Sequence, residues 1–433
     1  MEVLGRPQGF LFAQLADVTG DEWPELLMAD RVYPRRALAF GAAGSGEVTA
    51  GVDLQRVDQV DDAVWADFDG DLRPDVFMAT SRGGPSFSTP APEILEAALH
   101  GTHLGVRFRS AGPVRFRVYP QNSIEPGGIF IGARAANPRR LGFRVDPANP
   151  GSHGLADYRA GEDSGLYIGF DPGEGLWTVM QSHPSWRMIN VLATGRKPLT
   201  EVVPVRFAPR IQQPDNRLFI RQSRGFADHT VEAMLHGGVA GLSVVAGDFD
   251  HDMDVDLYLL SSGPIDNEPN LLYLNQGDGT FRSVAGAGGA AGSLLGRADA
   301  VATLDYDRDG DLDLFVVNGL EAEPFSTDGP HQLFENVLEQ GDGTRHWLEI
   351  DLEGTRSNVE AIGARVEVTA GGTAQVRLQD HGMHRATQND PLLHFGLGPN
   401  PRADEVVVHW PSGRIQRLRD VPADHLLKVV ETP

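Results

Sequence analysis

Four times this chain repeats one short pattern: an alternating apolar strand, a loop crowded with carboxylates, and a second alternating strand. The segments are FAQLADVTGDEWPELLMAD, DAVWADFDGDLRPDVFMAT, SVVAGDFDHDMDVDLYLLSS and VATLDYDRDGDLDLFVVNG. Alternation with a period of two marks strands half-buried in a sheet. The loops open at Asp17, Asp67, Asp248 and Asp305, so two of the spacings are 50 and 57 residues. That is about the length of one four-stranded propeller blade, roughly 40–50 residues. The middle spacing of 181 residues must contain something extra.

The chemistry of the loops follows from where the carboxylates fall. In the fourth loop Asp305, Asp307, Asp309, Asp311 and Asp313 occupy every second position, and Gly310 offers a permissive backbone at the curl. A tightly curled loop of this kind turns several oxygens toward one centre, which suits a hard cation with six to eight oxygen ligands. Without a cation, the clustered carboxylates repel and raise one another's pKa. The third loop has Asp248, Asp250, Asp252, Asp254 and Asp256, with Met253 in the glycine place. The second has Asp67, Asp69, Asp71 and Asp75, with Leu72 there. The first is poorest, with Asp17, Thr19, Asp21 and Glu25. The sites therefore rank fourth, third, second, first. An EF-hand opens similarly but needs a glutamate at loop position twelve and helices on both sides. That position holds Val316 and Leu259, inside strand-like runs.

These loops resemble FG-GAP (VCBS-type) repeats, the calcium-loop blades of integrin α-subunit propellers and many bacterial surface proteins. NRLFIRQSRGFADHTVEAML and NLLYLNQGDGTFRSVAGAGG resemble the strand, turn and strand that precede the next calcium loop. The resemblance implies several structural Ca2+ ions. From about His346 the acidic loops stop and short strands with glycine, proline and asparagine turns take over. This segment closely resembles the ASPIC/UnbV domain through SN followed by IGARV (Ile362 to Val366), HFGLG (His394 to Gly398) and WPSG (Trp410 to Gly413). The combination resembles the CRTAC, or cartilage-acidic-protein-like, family, which implies an extracellular or periplasmic protein with calcium-binding and adhesion roles.

The expected architecture is all-β: an FG-GAP β-propeller, complete or partial, over 1–86 and 208–345, an inserted β-sandwich-like domain over 87–207, and a C-terminal β-rich ASPIC/UnbV domain over 346–433. The two propeller parts leave room for about four blades of ~50 residues. Within the insert PEILEAALHG has the length of two helical turns, and six strand candidates follow it. Arg107, Arg109, Arg115 and Arg117 alternate with apolar residues; a solvent-facing strand is favoured there over a site for carboxylated or sulfated ligands. In QDHGMHRATQ, His381, His384 and Arg385 read as a solvated loop, and His394 as a packed core histidine.

Composition narrows the partners. A net charge of -23, with no basic run, argues against nucleic acid. No stretch reaches the ~18 apolar residues of a membrane span, so no membrane insertion is expected. The opening residues lack the pattern of a signal peptide, which leaves the cytoplasm open. There are no cysteines, so disulfides and thiolate chemistry are excluded. No hydrolase, zinc-protease, P-loop or dinucleotide motif occurs. The leading expectation is a calcium-binding scaffold for extracellular binding or adhesion to a protein, glycan or small-molecule ligand. The alternative is a calcium-dependent biosynthetic enzyme of the cyclisation or rearrangement type. Its pocket would lie at the propeller loop face, the insert or the ASPIC/UnbV domain, and a deep cavity with convergent histidine, arginine or aspartate from the insert and the C-terminal domain would favour it.

Overall fold

The computed structural model describes the chain from Phe12 to Pro433 except residues 21–22, 30–31, 34–35, 42–43, 50–51, 59, 81–84, 121–125, 208–215, 236–239, 262–267, 294–296, 320–328, 338–344, 383 and 386. Asp21 therefore lies outside the described residues. Each acidic loop joins the first two strands of its own antiparallel sheet. The first sheet runs Phe12–Ala16, Glu25–Ala29, Arg36–Gly41, Gly44–Glu47. The second runs Val60–Ala66, Asp75–Thr80, Arg217–Arg221, Phe226–Asp228, and the third Gly241–Gly247, Asp256–Ser261, Leu271–Asn275, Phe281–Val284. The fourth has Arg297–Leu304, Asp313–Gly319 and Gln332–Phe334 among the described residues.

These sheets stack as the blades of a propeller-like arc. The first strand of the third sheet packs against the first strands of the second and fourth. Alternate side chains fill the spaces between consecutive blades. Leu27, Ala37, Val76 and Phe219 join the first to the second; Phe68, Phe77, Leu257 and Phe281 the second to the third; Val245, Tyr258, Val301 and Leu314 the third to the fourth. Each fully buried aliphatic or aromatic side chain contributes about 1.5–3 kcal/mol.

The long middle spacing is resolved by an eight-stranded sheet placed between the second and third strands of the second blade. Its two long strands, Ile94–Ser110 and Leu176–Gly195, pair along their length, with a register break between Gly101 and His103. On one side of that break they are flanked by Ser86–Ala91 and Val114–Pro120, on the other by Leu199–Val205 and Gly165–Asp171. Leu95, Leu99, Val106, Phe108, Phe116 and Trp177, from both halves, share one core. The insert is thus one sheet curled until its halves face each other. PEILEAALHG is strand, not helix: Ile94–Gly101 pairs with Arg187–Thr194 and is buried on both faces, so its mostly apolar character reflects two-sided burial rather than a helical face. Arg107 and Arg109 are held by Glu174 and Glu201 in ion pairs.

The C-terminal unit consists of a three-stranded sheet, Leu393–Gly398, His346–Glu353, His425–Val430, and a four-stranded sheet, Thr373–Leu378, Arg365–Ala370, Arg402–His409, Ile415–Pro422. Leu348, Ile350, Val366, Val368, Phe395 and Val406 fill the space between them. Met253, from the third acidic loop, belongs to the same core, so the unit is seated on the blades.

Candidate metal loops and the cavity beside them

The loops share one hydrogen-bonded frame. The first aspartate accepts backbone N–H groups from its own loop: Asp67 from Gly70, Asp71 and Leu72, Asp248 from Asp252 and Met253, and Asp305 from Arg308, Asp309 and Gly310. The last aspartate ties the loop to the sheet. Asp75, Asp256 and Asp313 accept from Phe68, Phe249 and Tyr306, and also from Arg221, Asn275 and Asn336 next to the third strand. In the first loop Glu25 fills this role, accepting from Val18 and Thr19, while Asp17 accepts from Gly20.

The second, third and fourth loops take a left-handed backbone at two positions each, and the first does so at one of its described residues. The fourth residue does so at Gly20, Gly70, His251 and Arg308, and the sixth at Leu72, Met253 and Gly310, with φ of 66°, 84° and 97° for the last three. Leu72 and Met253 therefore adopt a conformation that glycine adopts freely. The same frame stitches blade to blade. Asn275 Nδ2 donates to Phe68 O at 2.9 Å, Asn336 Nδ2 to Phe249 O at 2.9 Å, and Arg221 Nη1 to Asp17 O at 2.5 Å. Sequence reasoning passed over these three residues. Their signal was their fixed place at the end of each third strand.

Among the described residues, three groups bring three carboxylates within 4.8 Å of one another: Asp67, Asp69 and Asp71; Asp248, Asp250 and Asp256; Asp305, Asp307 and Asp313. Asp75, Asp252, Asp254, Asp309 and Asp311 stand on the same loops outside those triplets, and Asp17, Thr19 and Glu25 form no such group. Burial, aided by neighbouring aspartates, pushes the carboxyls of Asp248 and Asp75 up to about 8 and that of Asp67 up to about 6. An all-oxygen set that is partly buried, crowded and short of positive charge is what a hard divalent cation satisfies. The residues fit such an ion.

The C-terminal unit meets the third and fourth loops at Gly310. His251 Nε2 and His394 Nε2 both donate to Gly310 O, at 3.1 and 2.8 Å, and their rings stack with centroids 5.2 Å apart. Burial holds these imidazoles neutral, down to about 4 and about 3. A Cβ on Gly310 would overlap the Trp347 indole, and one on Gly396 would overlap the Asp248 carboxylate. The described residues of 380–392 run along the inner strands of the blades. His384 Nδ1 pairs with Asp62 Oδ2 at 2.9 Å, Thr387 Oγ1 donates to Val301 O at 2.8 Å, and Asp390 N donates to Thr303 O at 2.9 Å. The loop expected to be solvated is therefore packed along the arc's axis, and the His384 side chain is 5% exposed. Its polar composition serves contacts to strand edges instead of water.

Where the first strands end and the acidic loops begin, the blades and the C-terminal unit enclose a cavity of about 390 Å³. Leu15, Trp65, Val244 and Thr303 line it from four blades, and Glu349, Arg377, Leu392 and His394 from the C-terminal unit. No residue of the insert is among the described lining.

Comparison with known proteins places these features. Residues 248–316 match the FG-GAP-like repeat family and residues 354–433 match the ASPIC and UnbV family. Cartilage acidic protein 1 of Mus musculus is 28% identical over 205 residues, 44% of this chain and 28% of that protein. The Xenopus tropicalis protein of that name is 29% identical over 189 residues, 40% of this chain and 26% of that protein. The alignments thus span little more than a quarter of these relatives' length. A solved structure, the V. cholerae biofilm matrix protein Bap1, aligns over 75% of this chain and 76% of its own at 10% identity, with a TM-score of 0.18, too low to bear on the fold. The chain carries an FG-GAP-like repeat followed by an ASPIC and UnbV domain, and over the aligned part it is a relative of cartilage acidic protein 1.

Proposed function

We propose that this protein is an extracellular scaffold whose second, third and fourth loops bind Ca2+, the ions holding the blade turns in shape for an adhesive surface. The observation that carries this reading is the threefold recurrence of carboxylate triplets on one hydrogen-bonded frame. Asp305, Asp307 and Asp313 would hold one ion, Asp248, Asp250 and Asp256 another, and Asp67, Asp69 and Asp71 a third, with their loop neighbours and backbone carbonyls completing the oxygen shell. The relatives' name supports the extracellular assignment. No helix among the described residues is long and apolar enough to cross a membrane.

The scaffold reading is kept over a biosynthetic enzyme because the cavity draws no described wall from the insert. Isothermal titration of metal-stripped protein tests the calcium reading. Calcium binding at two or three sites, lost loop by loop on Asp305→Asn and Asp248→Asn, is expected; absence of calcium-dependent heat would contradict it.

A further inference from the structure

One buried acid in the cavity has nothing to pair with. Glu349 lies on the strand His346–Glu353, is 2% exposed and lines the cavity. No described residue donates a hydrogen bond to its carboxylate or forms an ion pair with it. Its directly opposed cross-strand partner is His394, so the two side chains stand on the same face of the sheet. His394 commits its Nε2–H to Gly310 O, which leaves Nδ1 a bare acceptor, and that atom is buried without a partner among the described residues. A buried acceptor left unmatched costs about 1–3 kcal/mol, and more when charged. His394 Nδ1 is such an atom, and the unpaired carboxylate of Glu349 stands beside it at one end of a cavity.

Of the other charged groups on the wall, Asp17, Asp67 and Asp305 belong to the acidic loops, and the rest are engaged. Arg73 is held by Asp71 and Arg221 O, Arg221 by Asp17 O, Arg365 by Glu367 and Leu72 O, and Arg377 by Val376 O and Gln375. Asp380 and Asp390 accept the N–H groups of Gly382 and Leu392, and His384 is paired with Asp62. A metal ion does not answer the need of Glu349 and His394, because neither belongs to a group of three donors close enough to grip one. An anion would be repelled by the carboxylate. The missing complement is a donor-rich cation.

The rest of the lining sets the body of the ligand. Leu15, Val64, Trp65, Val376, Leu392 and Leu393 make much of the wall apolar, and the volume lies in the range of small-molecule pockets. The exposed Gly20 also lines the cavity, so it reaches the surface at the first loop. From this geometry we infer that the cavity between the blades and the C-terminal unit is a binding site for a small organic cation. Its ammonium or guanidinium group pairs with Glu349, beside His394, and its apolar body lies against the inner strands. Asp67 and Asp305 of the proposed ion sites also border the cavity, so the inference is tested on calcium-loaded protein; neither Glu349 nor His394 is itself a candidate ligand of the loops.

The test is isothermal titration of the full, calcium-loaded chain with three matched probes: 2-phenylethylamine, 2-phenylethanol and 3-phenylpropionate. The amine is expected to bind, the alcohol at least tenfold more weakly and the carboxylate not measurably. Glu349→Gln should weaken the amine at least tenfold, while Glu405→Gln, on the exposed face of the C-terminal unit, should leave it unchanged. Equal binding of the three probes, binding of none, or an unaltered amine affinity in Glu349→Gln would overturn the assignment. If Glu349→Gln fails to fold, the comparison of probes on the native protein still decides.

Discussion

At the scale of single residues, the loops show a backbone demand that the side chains meet unequally. Gly310 meets the left-handed conformation at the sixth loop position without strain, whereas Leu72 at φ 66° does not. Leu72→Gly is therefore expected to raise stability by about 1 kcal/mol, read by urea denaturation. Met253→Gly relieves the same strain but removes a side chain from the C-terminal core, and should lose roughly 2 kcal/mol on balance. Glu431 sets another residue-level constraint. Burial would raise its carboxyl, but N–H groups of Ser357, Arg356 and Thr355 and the hydroxyl of Ser412 outweigh it and hold the group at about 2. A depressed carboxyl contributes stability above its unfolded value and loses it as pH falls through the folded one. Acid unfolding followed from pH 5 to pH 2 should therefore show a loss in the native protein that Glu431→Gln lacks, the variant being already weaker at pH 7 by on the order of 2 kcal/mol. These contacts also explain why SN and WPSG mark this domain: Ser357 and Ser412 both bond to Glu431.

At the scale of elements, much was legible before any coordinates. Period-two alternation showed the first two strands of each blade, and the acidic spacing showed the loops between them, because both are local in sequence. Two features were not local. PEILEAALHG has no pattern separating a helix from a strand buried on both faces, and only its partners, 187–194 and 86–91, decide. QDHGMHRATQ reads as solvated because polar groups that bond to Asp62 and Val301 look no different from polar groups that bond to water. The loops themselves should differ in strength. Asp307→Asn with Asp309→Asn is expected to lower the calcium-loaded melting temperature more than the same change at Asp17 and Asp21, since the fourth loop brings three carboxylates together and the described part of the first does not. Equal shifts would refute that order.

At the scale of the whole molecule, the acidic loops do more than turn the chain. The first three tie their blades to the next through Arg221, Asn275 and Asn336, and the third and fourth carry the C-terminal unit through His251, Gly310 and Met253. Ions held there would stabilise blade contacts and domain docking together, which gives a physical reason for an FG-GAP-like repeat and an ASPIC and UnbV domain to share one chain. Gly310→Ala, which drives a methyl into Trp347, should loosen the docked unit and lower the melting temperature of the intact chain. The central claim is tested most directly by the thermal melt of the intact chain in calcium and in excess chelator. An ion that binds only the folded state must stabilise it, by roughly 2.7 kcal/mol for each site at a hundredfold excess over its Kd. The account predicts a melting temperature lower in chelator and restored by added calcium; an identical melt in the two conditions would contradict it.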